Sequence, residues 1–232
     1  MNKLIYTEDI KMFAIAIDGP AGAGKSTIAK DVSKRLGYIY VDTGALYRAV
    51  GLHMLRRGIT AAEPERVEAE LKNIDVTIHF QDGNQLVLLN EEDVSGLIRT
   101  PEVSMAASTF SALPSVREFL FDLQQELAAH NNVVMDGRDI GTVVLPKAQV
   151  KIFLTASPEE RARRRLKDLE EAGKAISYEE VLKDVKERDY NDSHRAISPL
   201  LPAADAVHFD NTGYTLEQSV EKILALVRAK DV

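Results

Sequence analysis

The chain has 232 residues, of which 45% are apolar and 28% charged, a balance that is typical of a folded globular protein and excludes wholesale disorder. No apolar run reaches the roughly 18–20 residues of a membrane span, and the absence of cysteine excludes disulfides and thiolate metal sites. The first residues lack the apolar core of a secretory signal, so we expect a cytoplasmic protein without membrane contacts. The net charge of −7 disfavours nucleic acid as a partner.

Short apolar runs alternate with helical patterns along the chain. Buried strands are predicted at residues 13–17, 38–41, 133–135, 150–154 and, more weakly, 207–209. Helices are predicted between them, including residues 26–36 and 43–57. Because strands separated by helices favour parallel pairing, we expect an α/β fold with helices on both faces of a parallel sheet.

Two stretches interrupt this alternation. Residues 76–80 and 86–89 have the pattern of two strands joined by a turn at Asp82-Gly83-Asn84, which predicts an antiparallel hairpin in an inserted subdomain. Residues 157–199 are helical and highly charged, which indicates a second insert. Capping-box patterns at residues 115–118, 157–160, 177–180 and 215–218 predict four helix starts.

A glycine-rich segment between the first strand and the first helix matches the pattern G-x-x-x-x-G-K-S/T. Glycines let the backbone approach a phosphate, and the loop amides with the helix N-terminus carry positive partial charge. Lys25 adds a full charge near the β- and γ-phosphates, and Ser26 can bind Mg²⁺. An ordinary glycine turn is the alternative, but the strand–loop–helix context favours a nucleoside-triphosphate site. Its residues are Gly19, Pro20, Ala21, Gly22, Ala23, Gly24, Lys25, Ser26 and Thr27.

The second half of the chain contains two arginine-bearing patterns. One is a run of basic side chains in residues 161–167, where a solvated helix face is the usual explanation. Because this run contains no acid, we favour anion binding, with Arg161, Arg164 and Arg165 as candidate ligands of ATP. The other pattern, Arg188, Asp192 and Arg195, has the spacing of one helix face. It indicates either a surface salt bridge or a site for phosphates and a ribose hydroxyl.

Polar side chains also follow two predicted strands directly, at the strand ends where α/β folds bind ligands. Asp136 stands where it could hold Mg²⁺ or its waters; a capped turn would explain Asp136 but not the adjacent Arg138 and Asp139. After the second strand, Asp42 or Thr43 could cap a helix, while Tyr47 and Arg48 could bind a phosphate.

These arginine-bearing positions exceed what one nucleotide needs. A second phosphorylated substrate accounts for them, so the residues predict phosphoryl transfer between two nucleotides. A GTPase is disfavoured because the chain has no Asn-Lys-x-Asp segment. A kinase for UMP or AMP and a regulatory P-loop ATPase remain as alternatives.

Five segments of the chain resemble the bacterial cytidylate kinases. They are IDGPAGAGKST (17–27), VDTGALYRA (41–49), EDVSGLIRTPEVS (92–104), MDGRDIGTVV (135–144) and KERDYNDSHRAISPL (186–200). The first is generic, whereas the other four in this order are specific to that family, and the resemblance spans residues 13–227. It implies a P-loop core with a five-stranded parallel sheet, a monophosphate-binding insert with a small antiparallel sheet, and a helical lid. The implied division is an N-terminal extension (1–12), the core (13–43, 113–156 and 200–232), the insert (44–112) and the lid (157–199).

The resemblance also implies an activity and a set of site residues. It implies that ATP and Mg²⁺ are used to phosphorylate CMP and dCMP, in pyrimidine nucleotide metabolism. The implied substrate-binding residues are Thr43, Tyr47, Arg48, Ser108, Arg117, Arg138, Asp139, Arg188, Asp192 and Arg195. The catalytic candidates are Lys25, Arg138, Arg188 and Arg195, and the metal candidates are Ser26 and Asp136. We expect a monomer.

The base-contacting residues also suit cytosine on chemical grounds. Cytosine presents an amine donor beside a ring acceptor, and uracil reverses both. Asp139 and the Ser108 hydroxyl can accept from the amine, while Arg117 can donate to the ring nitrogen, so uracil would leave these groups unpaired. Two alternatives remain open: Ser108 could bond its own backbone, and Arg117 could pair with Glu118 or Asp122.

Overall fold

The computed structural model describes residues 12–81, 84–171 and 173–230, and the predicted N-terminal extension lies outside them except for Met12. In chain order the elements are β1 (Ala14–Asp18), α1 (Lys25–Leu36), β2 (Ile39–Asp42), α2 (Thr43–Arg56), α3 (Pro64–Leu71), β3 (Val76–Gln81), β4 (Asn84–Leu89), β5 (Glu92–Asp93), α4 (Pro101–Phe110), α5 (Pro114–His130), β6 (Val133–Gly137), β7 (Val150–Thr155), α6 (Pro158–Glu171), α7 (Tyr178–His194), β8 (Val207–Asp210) and α8 (Leu216–Arg228). A 3₁₀ turn spans Leu97–Arg99, and a π-helical turn spans Ile140–Val144.

The main sheet has five parallel strands in the order β2-β6-β1-β7-β8, which confirms the predicted sheet. Side chains of the central strand alternate between two apolar clusters. Ile15 and Ile17 pack with residues of α1 and α8, whereas Ala14 and Ala16 pack on the opposite face with α5 and the π-helical turn. Both faces of the sheet are therefore covered, as continuous apolar runs in parallel strands require.

A second, separate sheet contains β3, β4 and β5 in antiparallel arrangement. It confirms the predicted hairpin, although β4 begins at Asn84, earlier than predicted, and the two-residue strand β5 was not predicted. The predicted turn residues Asp82 and Gly83 lie outside the described residues. This sheet shares one apolar cluster with α2, α4 and the start of α5, in which Leu46, Met54 and Leu120 are fully buried.

The charged segment 157–199 forms the helices α6 and α7, which pack through the small cluster of Ala162, Val181 and Val185. Within the described part of the chain, no helix is both long and apolar enough to cross a lipid bilayer.

Two predicted capping boxes form completely, at Ser177 before α7 and at Thr215 before α8. Before α6, the Ser157 hydroxyl accepts a hydrogen bond from the amide of Glu160 at 3.2 Å. The box predicted at residues 115–118 was wrong, because α5 already begins at Pro114 and has no side-chain cap. Proline suits the first helical position, where its missing N–H costs nothing.

Candidate active site

The loop between β1 and α1 has the backbone shape of a phosphate cradle. Gly19 has a φ of +151°, and a Cβ atom there would collide with the carbonyl oxygen of Leu154, so no larger residue fits. Gly24 has a φ of +88° and is the N-cap of α1, so the loop runs directly into the helix N-terminus. Lys25 is buried, and its Nζ donates to the carbonyl of Pro20 at 2.8 Å. Together the loop amides, the helix end and Lys25 form a site for an anion.

Ser26 and Asp136 meet beside this loop. Ser26 Oγ donates to Asp136 Oδ2 at 2.9 Å, and the Tyr40 hydroxyl donates to Oδ1 at 2.9 Å. Asp136 belongs to β6, so the alternative of a capped turn was wrong. Burial and the charge of Asp42 raise the pKa of Asp136 to about 6.

This pair of oxygen ligands fits Mg²⁺, which prefers hydroxyl, carboxylate and water oxygens. In the residues that the structure describes, no group of three or more His, Asp, Glu or Cys side chains could enclose a metal ion. An all-protein cage is also unusual for Mg²⁺, because this ion keeps several waters and binds substrate phosphates. Ser26 and Asp136 would therefore supply the protein's share of the ligands.

A cleft of about 310 Å³ opens next to the loop. Its walls come from the loop, α2, α4, α5, the end of β6, α6 and α7. All ten residues that were predicted to bind the substrate line it: Thr43, Tyr47, Arg48, Ser108, Arg117, Arg138, Asp139, Arg188, Asp192 and Arg195. Lys25, Ser26, Asp136 and Arg165 line it as well, so the predicted phosphate, metal and substrate residues share one cavity.

Positive charge in the cleft exceeds what the protein itself neutralises. In the described residues, the buried side-chain nitrogens without a hydrogen-bond partner are Arg48 Nε, Arg188 Nε and Arg195 Nη2. Leaving such a nitrogen buried and unpaired costs roughly 1–3 kcal/mol. Burial and the neighbouring Arg138 lower the pKa of Arg188 to about 10. An anion that accepts from these three arginines would pair the free nitrogens and would also offset the crowded positive charge.

Asp192 partly balances this charge. Its Oδ2 accepts from Arg138 Nε at 2.7 Å, and the residue is 6% exposed, so the alternative of a surface salt bridge was wrong. Although burial opposes it, the surrounding arginines lower the pKa of Asp192, which keeps the carboxylate charged. Arg195 lies at the C-terminal cap of α7 rather than within the helix, and it still lines the cleft.

Arg117 and Asp139 form an ion pair in the cleft wall. Arg117 Nη1 also donates to the carbonyl of Ser111 at 3.3 Å, and its guanidinium lies 5.7 Å from the ring centroid of Tyr47. The alternative partners Glu118 and Asp122 are not used. A carboxylate and a guanidinium therefore stand side by side at the cleft, with Ser108 on the same wall.

Asp42, and not Thr43, caps α2. Asp42 Oδ1 accepts from the amide of Ala45 at 2.9 Å and caps the helix. Its other oxygen, Oδ2, accepts from Arg48 Nη2 at 2.7 Å. Thr43 Oγ1 donates instead to the carbonyl of Asp136 at 2.8 Å, which ties the start of α2 to β6.

The three arginines of α6 that were predicted to bind ATP have different surroundings. Arg165 lines the cleft, and Arg161 and Arg164 do not. Arg161 is 3% exposed and donates to the carbonyl of Ala21 at 3.0 Å and to Asp189 at 2.9 Å.

Arg164 also contacts protein groups, namely Glu160 at 3.0 Å and Asn211 at 3.3 Å. The acids that pair with Arg161 and Arg164 lie outside residues 161–167. The lack of an acid within residues 161–167 therefore did not mean that these two arginines are unpaired.

Ser104 and Ser111 also line the cleft, and the sequence analysis missed them. Ser104 precedes Ser108 by four residues in α4, so the helical repeat carries a signal for it. Ser111 follows the end of α4, and only its contact with Arg117 reveals it.

The chain was compared with known proteins. The family model described as cytidylate kinase matches residues 15–229. The chain belongs to the cytidylate kinase family. Among its relatives, the cytidylate kinase of Caldicellulosiruptor saccharolyticus is 52% identical over 217 residues, which cover 94% of this chain and 96% of that protein. The cytidylate kinase of Carboxydothermus hydrogenoformans is 51% identical over 217 residues, covering 94% of this chain and 98% of that one.

A solved structure of an uncharacterized protein from Eubacterium ventriosum shares the fold, with a TM-score of 0.53 at 11% identity. It covers 94% of this chain and 99% of the other. Membership of this family makes the chain a phosphotransferase. ATP is the phosphoryl donor that the family implies.

The lowered pKa of Lys25 predicts that ATP binding depends on pH. Burial and the nearby Arg138 lower the pKa of Lys25 to about 7. A bound triphosphate favours the ammonium form and raises this pKa, so ATP binding at pH 8 should take up as much as about one proton. The affinity for ATP should accordingly fall as the pH rises above 7.

Calorimetry in buffers of different ionisation enthalpy measures the proton uptake. The Lys25→Met variant should show none at the same pH. Binding to the unsubstituted protein without any proton uptake would contradict the lowered pKa.

Proposed function

We propose that this chain transfers the terminal phosphoryl group of ATP to CMP and dCMP, which yields ADP with CDP or dCDP. The observation that carries the proposal is a set of three buried arginine nitrogens that have no partner among the described residues, on Arg48, Arg188 and Arg195. These arginines line the cleft beside the phosphate-binding loop between β1 and α1. The loop accommodates one phosphate chain, and these arginines offer donors to a second anion. A nucleoside monophosphate supplies such an anion.

The base of the acceptor is selected by Asp139, Arg117 and Ser108 in this proposal. The ion pair of Arg117 and Asp139 places a donor next to an acceptor, as the N3 and N4 positions of cytosine need. Uracil would face each group with the wrong partner, and buried polar groups left unpaired discriminate by up to roughly 10⁴-fold. Asp192 would accept from a sugar hydroxyl, and Thr43 and Tyr47 would contact the phosphate side.

Phosphoryl transfer passes through a loose transition state, so the protein contributes mainly position and charge. The monophosphate is already anionic and needs little help from a general base. Lys25, Arg138, Arg188 and Arg195 would neutralise the charge on the transferring group and on the acceptor, with Arg165 reaching in from α6. Mg²⁺, when bound at Ser26 and Asp136, supplies further neutralisation of the phosphates.

We also propose the division of the chain that the family resemblance implies. The core (13–43, 113–156 and 200–232) holds the phosphate-binding loop and part of the cleft wall, including Arg117, Arg138 and Asp139. The insert (44–112) and the lid (157–199) supply the rest of the wall. The separate apolar cluster between α6 and α7 supports a lid that moves as a unit. Closure would exclude water, which otherwise competes with the monophosphate for the phosphoryl group.

The phosphate-binding loop, the metal pair Ser26 and Asp136, and the ten predicted substrate-binding residues meet within this one chain. We propose that a monomer is sufficient for activity, since this set already covers the roles that the reaction needs. The net charge of −7 argues against nucleic acid as a ligand. The competing function is that of a regulatory P-loop ATPase. Such a protein would not need Arg117 and Asp139 to recognise the base of a second nucleotide.

ADP release from Mg-ATP in the presence of CMP, dCMP, UMP, AMP or GMP tests the function directly. CMP and dCMP should exceed the other acceptors by about 100-fold, because they match the donors and acceptors of the cleft. Equal rates with UMP or AMP would leave a kinase but refute the base assignment. If no monophosphate stimulated ADP release, the regulatory ATPase would be the better account.

Removal of a cleft arginine should impair the reaction while the fold persists. Arg188→Ala should lower kcat/KM for CMP by at least about 100-fold, since this arginine lines the cleft and its charge would neutralise the phosphates. Arg163→Ala is the matched control in the same region, because its side chain is 66% exposed and pairs only loosely with Glu160 at 3.6 Å. Steady-state kinetics with unchanged circular dichroism provides the measurement, and equal activity of the two variants would refute the role of Arg188.

Base discrimination should depend on Asp139. Asp139→Asn introduces an amide that can donate to the O4 of uracil, so the ratio of kcat/KM for CMP over UMP should fall by about 100-fold. Asp122→Asn, an exposed carboxylate on the same helix as Arg117, serves as the control and should leave the ratio unchanged. A ratio that Asp139→Asn does not alter would show that the base is recognised elsewhere.

A further inference from the structure

β2 lies at one edge of the main sheet. In the described sheet it pairs with β6 on one side, and the backbone groups on its other side are open to another partner. Edge groups of this kind need water or a neighbouring segment to satisfy them. Asp42, the last residue of β2, finds its partner in the small antiparallel sheet.

The partner is the side chain of Gln85 in β4. Its Oε1 accepts from the amide N of Asp42 at 2.8 Å, and its Nε2 donates to the carbonyl O of Asp42 at 3.3 Å. One side-chain amide therefore satisfies both edge groups, as a neighbouring strand would. Asn84, which precedes Gln85 in β4, adds a second link between the small sheet and the core. Its Oδ1 accepts from Lys30 Nζ of α1 at 2.7 Å.

Asp42 in turn holds a residue of the cleft. Its carboxylate caps α2 and accepts from Arg48 Nη2 at 2.7 Å, and both side chains are largely enclosed, at 14% and 21% exposure. Arg48 Nε is buried without a partner in the described residues, at the cleft. Asp42 therefore links Gln85 to an arginine of the cleft.

We propose that Gln85 is a positioning residue for the monophosphate site: it fixes Asp42, and through Asp42 it orients Arg48. This inference rests on the proposed function of that site. Gln85 lines a neighbouring groove of about 580 Å³, between α1 and the small sheet, and not the cleft. Removing its side chain therefore removes no group that would touch the substrate.

The small sheet offers a matched control. Gln81 is an exposed glutamine at the end of β3, paired across the hairpin with Asn84. Gln85→Ala should raise the dissociation constant of CMP about 3- to 10-fold, the loss expected when hydrogen bonds of ordinary strength no longer fix the site. Gln81→Ala should leave it unchanged, and both variants should bind ATP within about twofold of the original protein. Calorimetry on the full chain measures all of these constants.

A double-substitution cycle with Arg48→Ala separates positioning from a general structural effect. If Gln85 acts through Arg48, Gln85→Ala should weaken CMP binding less than about twofold once Arg48 is absent. An undiminished effect in the Arg48→Ala background would overturn the proposal.

Equal weakening of CMP and ATP binding by Gln85→Ala, or no weakening of either, would also overturn it. Failure of the unsubstituted protein to bind CMP would refute the proposed function itself, and the inference with it. The two failures are therefore distinguishable in one set of titrations.

Discussion

The cleft is organised around a concentration of buried positive charge. Lys25, Arg48, Arg138, Arg188 and Arg195 converge on it. Burial, together with the nearby Arg138, lowers the pKa of Lys25 to about 7 and that of Arg188 to about 10. Neighbouring positive charges repel each other. Other parts of the fold must therefore hold each of these side chains in place.

Acidic residues from separate elements provide that support. Asp42 pairs with Arg48, Asp139 with Arg117, and Asp192 with Arg138. Each pair joins groups that secondary structure has already positioned: a helix cap, the end of a strand, or a turn of α7. The pairs balance only part of the charge, since three arginine nitrogens have no partner in the part of the chain that the structure describes, and the remaining charge is available for phosphate.

The sequence predicts a site residue well when its role depends on residues near it in the chain. The loop 19–26, the strand ends and the one-face pattern of α7 are local, so they mark residues such as Lys25, Arg138 and Arg188 from the sequence alone. Ser108 and Arg117 carry no such pattern and were named only because of the family resemblance, although they line the same cleft. The pairs formed by Arg161 with Asp189 and by Arg138 with Asp192 join residues 28 and 54 positions apart. No periodic pattern encodes such contacts, because they depend on how separately predicted helices and strands pack.

The account makes one central claim, that the unbalanced charge of the cleft is matched by the phosphate of the substrate. Comparing the dissociation constants of CMP and cytidine by calorimetry tests it most directly, since the two ligands share base and sugar. CMP should bind at least about 100-fold more tightly, in line with charge-assisted hydrogen bonds to several arginines. Equal binding of the two ligands would contradict the claim, because the arginines would then have no part in holding the monophosphate.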